Sequence, residues 1–273
     1  MLATITGIDD LVSRIPDGAK VALPPEYSYC AMELVRGLIR RGARDLHLVG
    51  VPQFGLQGDL LIGAGCVATV ETAAVTLAEQ GLAPRFTAAI KAGSIRMLDA
   101  TCPAILSALQ AGEKGIPFIP VRGVIGSDVE KRREDWIVQA NPFAEDDPVL
   151  LVPAIRPDVA MFHAPKADRA GNVWVGVRRE LMLMAHAAKA SVVTVEEIVD
   201  GNLLEDAETA AGVIPGIYVD AIAEAREGAW PLGVADRYAR DGEHVALYAE
   251  MARSEDGFND YLSRYVLHKA AAE

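Results

Sequence analysis

Short apolar runs alternate with apolar stripes at helical spacing along most of this chain, and that alternation restricts the fold more than any single motif. "KVALP" is a strand-length apolar run, and "CAMELVRGLIRRG" follows it with Met32, Val35, Leu38 and Ile39 on one helical face and Gly42 as a stop. "DLHLVGVPQFG" then begins a second strand. A strand, helix, strand order predicts a right-handed parallel crossover. Upstream, "TGIDDLVSRIPDG" puts Ile8, Leu11, Val12 and Ile15 on one stripe, with Thr6 as N-cap and Pro16-Asp17-Gly18 as terminator. The rhythm continues through "LLIGAGCVATVET", "APRFTAAIKAG", "SIRMLD", "PAILSALQAGEKG" and "IPFIPV". From Pro148 it resumes with "VLLVPAI", "DVAMFHAPKAD", "NVWVG", "LMLMAHAAKA" and "SVVTVEEIV", and "DRAGN" reads as a hairpin turn. The expected architecture is α/β, an open, mostly parallel sheet flanked by helices, in one domain over residues 1–273. Residues 235–270 read as a helical C-terminal appendage, with stripes at Val245, Tyr248 and Ala252 and then Phe258, Tyr261, Leu262 and Tyr265.

Composition agrees and removes several function classes. The chain is 51% hydrophobic but only 6% aromatic, so its core is aliphatic, as suits helices on a buried sheet. The formal net charge of −12 repels nucleic acid and anionic membranes, and neither is an expected partner. Arg40/Arg41, Lys131–Arg133 and Arg178/Arg179 are local basic clusters that could hold an anionic small molecule, although each alone reads as solvated surface charge. Cys30, Cys66 and Cys102 are far apart and read as reduced, mostly buried thiols; no metal site is expected. The N-terminus has no charged-then-apolar signal, and no apolar run reaches the roughly 18 residues of a membrane span, so a cytoplasmic protein is expected.

The phosphate-binding glycine motifs, the serine elbow and the zinc-protease helix are all missing. Of His47, His163, His186, His244 and His268, only His163, at a strand end, stands out from a structural background. Ligands of open parallel sheets sit beyond the carboxyl ends of the strands, which directs attention to three loops. The first contributes Glu26, Tyr27 and Ser28, the second Gln53 and Phe54, and the third, "RGVIGSD", contributes Arg122, Gly123 and Ser127. Glu26 is the candidate general acid or base, if burial raises its pKa, and a helix-terminal glutamate is the alternative. The others are candidate substrate contacts. Glu196 and Glu197 follow a strand, so one is expected to point inward and one outward. Asp128 and Glu130 beside Lys131–Arg133 read as a solvated ion-pair surface.

Several segments in order, "PDGAKVAL", "MELVRGLIRRGARDLHLVG", "GLAPRF", "GIPFIPVRGVIGSDV", "IRPDVAMFHAPKADRAGNVWVG" and "ASVVTVEEIVD", resemble the alpha subunit of the family I coenzyme A transferases. Glutaconate-type members are the most similar, and the resemblance runs from about residue 8 to 225. It implies a heteromer whose active site lies at the junction with a beta subunit. There a beta-chain glutamate attacks the acyl-CoA thioester, while this chain shapes the acyl pocket. The beta subunit's Ser-Glu-Asn-Gly-like motif is not found in this sequence. Coenzyme A and acyl-CoA are then substrates, no covalent cofactor is implied, and the acids exchanged are small, dicarboxylic ones included. The same fold also serves acyl-CoA hydrolases, decarboxylases and ring-opening enzymes, and, as a more distant alternative, non-catalytic ligand sensors. The family's Gly-Gly-Phe-Gly-like first loop is replaced here by Leu23-Pro24-Pro25-Glu26-Tyr27, and "LDATCP" leaves Asp99 as the only carboxylate before the next helix. Both departures bear on substrate choice.

Overall fold

In the computed structural model, which describes residues 3–267, the alternation becomes a layered sheet. The chain runs β1 (Thr4–Ile5), α1 (Ile8–Ser13), β2 (Lys20–Leu23), α2 (Met32–Arg41), β3 (Leu46–Gly50), α3 (Leu56–Gly63), β4 (Val67–Thr72), α4 (Pro84–Ala92) and β5 (Arg96–Asp99). It continues through α5 (Cys102–Glu113), β6 (Phe118–Val121), α6 (Asp128–Arg132), β7 (Ile137–Gln139), β8 (Val149–Pro153), β9 (Val159–Ala164), β10 (Lys166–Asp168) and β11 (Val173–Trp174). The remainder is α7 (Arg179–Ala187), β12 (Ala190–Val195), β13 (Ile198–Val199), β14 (Val213–Ile214), β15 (Ala221–Glu224), α8 (Gly242–Met251) and α9 (Glu255–Leu262).

Eight strands form one fully parallel sheet in the order β1-β15-β12-β9-β2-β3-β4-β5. Its central strands are apolar throughout because both faces are covered. Val21 and Leu23 enter one core, with α1, α2 and α3, while Ala22 enters the other, with α5 and α7. Val159 and Met161 alternate with Ala160 and Phe162 in the same way. From β2 the chain builds outward through β3, β4 and β5, and from β9 it builds the opposite way, so the strand order reverses between β2 and β9. A crevice at the carboxyl ends of those two strands follows from that reversal.

The parallel expectation does not extend to every apolar run. "IPFIPV" and "VLLVPAI" supply β6 and β8, which pair antiparallel with each other and with β7 in a separate three-stranded sheet. The intervening α6 is too short to cross back over the main sheet, and Pro120 is tolerated because β6 is an edge strand. "DRAGN" is the expected turn, joining β10 antiparallel to β11. Thr6 does not cap α1, whose N-cap is Gly7, without a side-chain acceptor. Gly42 ends α2 in the left-handed conformation, as expected.

The C-terminal helices are present and are integrated with the sheet's own core. Val245, Tyr248, Phe258 and Tyr261 belong to the core of α1–α3. The Tyr248 hydroxyl donates to Asp59 Oδ2 at 2.7 Å, and Asp59 Oδ1 accepts from Phe86 N at 2.6 Å, so one buried carboxylate ties α8 to the start of α4. Arg40 and Arg41 are consumed by structure as well: Arg40 pairs with Glu33 at 2.5 Å, and Arg41 Nη1 donates to the Val12 carbonyl at 2.7 Å. Cys30 and Cys66 are buried and Cys102 is exposed; His268 lies outside the described residues.

A second buried network joins the main sheet to the segment after α6. Glu71 Oε1 lies 2.9 Å from Arg133 Nη2, while Oε2 lies 3.3 Å from His47 Nε2 and 3.6 Å from Lys20 Nζ. Burial pushes the Glu71 carboxyl up, but the His47 contact and the Lys20 and Arg133 charges outweigh it and hold it down at about 2. A depressed carboxyl pKa contributes stability that is complete above the ordinary value of 4.5 and is lost as the pH falls towards 2. Acid unfolding of the wild type between those limits is therefore steeper than that of Glu71→Gln. The variant should also be less stable at neutral pH by roughly 3 kcal/mol, because Arg133 loses a buried partner. Parallel acid limbs in denaturant titrations would contradict this account.

Candidate functional site

The loop after β2 begins Pro24-Pro25, which removes two amide donors but leaves two carbonyls, and the structure uses both as acceptors. Gln57 Nε2 donates to the Pro24 carbonyl, and Ser28 N donates to the Pro25 carbonyl at 2.9 Å. The loop then turns through Tyr29, a non-glycine residue at φ 56, whose carbonyl accepts from His163 N at 2.7 Å. The first loop is thereby fastened across the crevice to the end of β9.

Glu26 points away from that fastening, towards the second loop. Its Oε1 accepts from Leu56 N at 2.7 Å and its Oε2 lies 3.3 Å from Arg240 Nη2. Leu56 is the first residue of α3, so Glu26 caps a helix that has no side-chain cap of its own. Gly55 is required here, since a Cβ would overlap Glu26 Oε1 and the Thr76 carbonyl. Burial pushes the Glu26 carboxyl up, against the Leu56 amide and Arg240. Phe54 is 2% exposed and packs in the core with Leu56 and Leu60, so it faces the fold and not a ligand. Gln53 is partly exposed beside it.

Ser28 is fully buried, and its hydroxyl donates to Glu180 Oε1 in the first turn of α7. Tyr27 is 56% exposed. Tyr27, Pro52, Leu106, Gln110, Glu180 and His186 surround a cleft of about 520 Å³ between α5 and α7. Burial and the Glu180 charge push the Tyr27 phenol up, with Arg178 opposing them.

Behind the loop, the ends of β9 and β12 carry a closed polar network. His163 is fully buried, with Nδ1 2.8 Å from Thr194 Oγ1 and Nε2 2.7 Å from Glu196 Oε1. Glu196 also accepts from Tyr238 Oη at 2.7 Å and from Glu227 N at 2.8 Å. Burial lowers the His163 pKa and the Glu196 charge only partly restores it. A neutral ring, donating from Nε2 and accepting at Nδ1, satisfies every partner. Burial raises the Glu196 pKa, but its hydrogen bonds outweigh that and hold it below the ordinary value. With both oxygens occupied, Glu196 positions its neighbours and has no lone pair aimed at a substrate. Glu197 points outward to Arg237, as the strand alternation requires.

The third loop lies elsewhere, because β6 belongs to the antiparallel side sheet. Arg122 pairs with Asp147 and lines a separate, more apolar cavity with Phe118, Pro120, Phe143 and Leu151. Gly123 is exposed at φ 100, and Ser127 caps α6 by accepting from Glu130 N at 3.3 Å. The structure thus brings the first two loops together and leaves Arg122, Gly123 and Ser127 apart from them. Asp128 pairs with Lys131 on the surface, as expected. Tyr29, Arg178, Glu180 and Tyr238 were not singled out individually from sequence; only the doublet at Arg178/Arg179 carried a signal. Among the described residues, no group of three or more His, Cys, Asp or Glu side chains is placed to hold a metal ion.

Residues 5–225 match the family model described as Coenzyme A transferase. An uncharacterized protein of Archaeoglobus fulgidus is 33% identical over 86% of this chain, which spans about half (53%) of that protein's length. The A-type subunit of the 3-oxoadipate CoA-transferase of Pseudomonas knackmussii is 31% identical, over 97% of this chain and 94% of its own. A chain from the crystal structure of a variant of the decarboxylase AibA/AibB superposes with a TM-score of 0.82 at 31% identity, covering 97% of this chain and 100% of that one.

The cap geometry makes Glu26→Ala destabilising by about 1–2 kcal/mol, since the first amide of α3 loses its acceptor. Glu26→Gln, which keeps an acceptor oxygen, should recover part of the loss. Urea midpoints of the two variants check this, and equal midpoints for wild type and Glu26→Ala would refute the capping role.

Proposed function

The chain belongs to the coenzyme A transferase family, and from that premise we propose that it is the alpha-type component of a heteromeric enzyme that moves coenzyme A between small organic acids. The observation that carries the reading is the state of the carboxylates around the crevice. Glu26 is engaged at both oxygens, Glu196 accepts from three donors, and Glu180 accepts from Ser28. A nucleophilic carboxylate needs a free oxygen facing the thioester, and a beta-type partner is the source that meets this requirement.

The chemistry follows from the thioester. The partner's glutamate attacks the acyl carbonyl and expels the CoA thiolate, forming an acyl-glutamyl anhydride. The thiolate then attacks the glutamyl carbonyl, releasing the first acid and leaving a glutamyl-CoA thioester. A second acid reverses both steps and departs as its CoA ester. Backbone amides stabilise the oxyanion of each addition. Pro24 and Pro25 have no amide to give, so the first loop serves this reaction through its side chains. Tyr27 lines the acyl cleft, Ser28 fixes Glu180, and Glu26 holds the two loops in register as a positioning residue. Gln53 stands beside the same junction. Coenzyme A enters as a substrate and no covalent cofactor is needed. The free thiols of Cys30, Cys66 and Cys102 support a reducing compartment, the cytoplasm.

Full-length similarity to a chain of the decarboxylase AibA/AibB favours a second reading, in which the same assembly removes CO₂ from an acyl-CoA. Products separate the two: transfer gives a new acyl-CoA only when an acceptor acid is present, whereas decarboxylation needs none. For the transferase reading, the chain co-purified with a beta-type partner should exchange CoA between an acyl-CoA and a free acid. Hydroxylamine-sensitive acylation should map to the partner. Turnover by this polypeptide alone would overturn the two-chain assignment.

A further inference from the structure

Arg178 stands apart from every other arginine among the described residues that is not exposed. Arg36 and Arg40 lie on Glu33, Arg85 on Glu255, Arg133 on Glu71 and Asp135, and Arg240 on Glu26 and Glu79. No carboxylate among the described residues lies within ion-pair distance of Arg178, and its Nε is buried without a hydrogen-bond partner. What holds it is aromatic: its guanidinium carbon sits 5.6 Å from the ring centres of both Tyr27 and Tyr29.

Those contacts stabilise the charge but leave the donors unused. Ring faces attract a cation through their quadrupole, whereas the five N–H groups of a guanidinium point outward in its own plane. A partly desolvated guanidinium with an unmet donor is costly unless something supplies oxygen atoms in that plane. The nearest acidic side chain along the chain, Glu180, is turned to Ser28 instead. Tyr27, Arg179 and Glu180 line the cleft between α5 and α7, so Arg178 and its tyrosines stand at the edge of that cleft. The cation is therefore held ready at the acyl cleft, in a chain whose net charge of −12 would otherwise repel an anion.

We propose that Arg178 is a specificity-determining residue that receives the distal carboxylate of a dicarboxylic acyl group. The proposal rests on the transferase reading above and deepens it. A planar carboxylate matches the guanidinium fork in two parallel hydrogen bonds. The phosphates of coenzyme A share oxyanion chemistry, and they are common to every acyl-CoA, which allows the two sources to be told apart.

The test uses the assembled two-subunit enzyme with glutaryl-CoA and butyryl-CoA as donors, comparing wild type with Arg178→Gln and Arg178→Lys. Arg178→Gln should lower kcat/KM for glutaryl-CoA by about 10- to 100-fold, the worth of a lost charged hydrogen bond, and leave butyryl-CoA within about 3-fold. Arg178→Lys should restore only part, since an ammonium keeps the charge without the fork. Independently of turnover, free glutarate but not butyrate should raise the Tm of the wild-type complex, and Arg178→Gln should abolish that shift. Equal losses on both thioesters would assign Arg178 to a CoA phosphate or to the fold and overturn the proposal, as would no loss on either. A wild-type complex that transfers no CoA defeats the transferase reading, while the glutarate shift still decides whether Arg178 binds a carboxylate.

Discussion

The reversal of strand order between β2 and β9 is the constraint on which the rest of the molecule depends. Two sets of parallel strands grow outward from that line, and crossover connections carry their helices to both faces. At the reversal, the connections after β2 and β9 lead away from one another, and a crevice opens at their carboxyl ends. The loops that edge it must be held by something other than a continuing ladder. Here that is a backbone bond from His163 to Tyr29, supported by the side-chain chain of Thr194, His163, Glu196 and Tyr238.

Pro24 and Pro25 take on a definite physical meaning in that setting. A loop at this position with free amides could cradle an anion. With proline it offers only carbonyls, and those carbonyls are turned inward to Gln57 and Ser28. Loop order thereby replaces ligand contact by the backbone, and chemical contact passes to side chains. Glu26 completes the arrangement by capping α3 from a different loop, which couples the first and second loops through one buried carboxylate. The same economy recurs at Asp59, where one carboxylate joins α8 to the start of α4 and makes the C-terminal helices part of the core.

Charge placement separates framework from function. Most of the shielded arginines are neutralised locally and bind elements together, as Arg133 does with Glu71 and Arg41 does with the end of α1. Sequence cannot distinguish these from Arg178, because the doublets Arg40/Arg41 and Arg178/Arg179 look alike until their neighbours are known. Only the folded chain shows that one doublet is occupied by carbonyls and a carboxylate while Arg178 is framed by two aromatic rings.

What the sequence determined by itself was periodicity: apolar runs of strand length, helical stripes at Met32, Val35, Leu38 and Ile39, and the stop at Gly42, which together require helices on a parallel sheet. These features are local, because a side chain's direction follows from its own backbone. The first two loops were legible for the same reason, as ends of recognisable strands. The tertiary structure alone decided the rest. It sent β6 and β8 into an antiparallel side sheet, taking Arg122, Gly123 and Ser127 away from the crevice. It buried Phe54 and turned Glu26 onto the amide of Leu56. Strand partner and side-chain partner are properties of distant residues brought together, and no spacing within one segment encodes them.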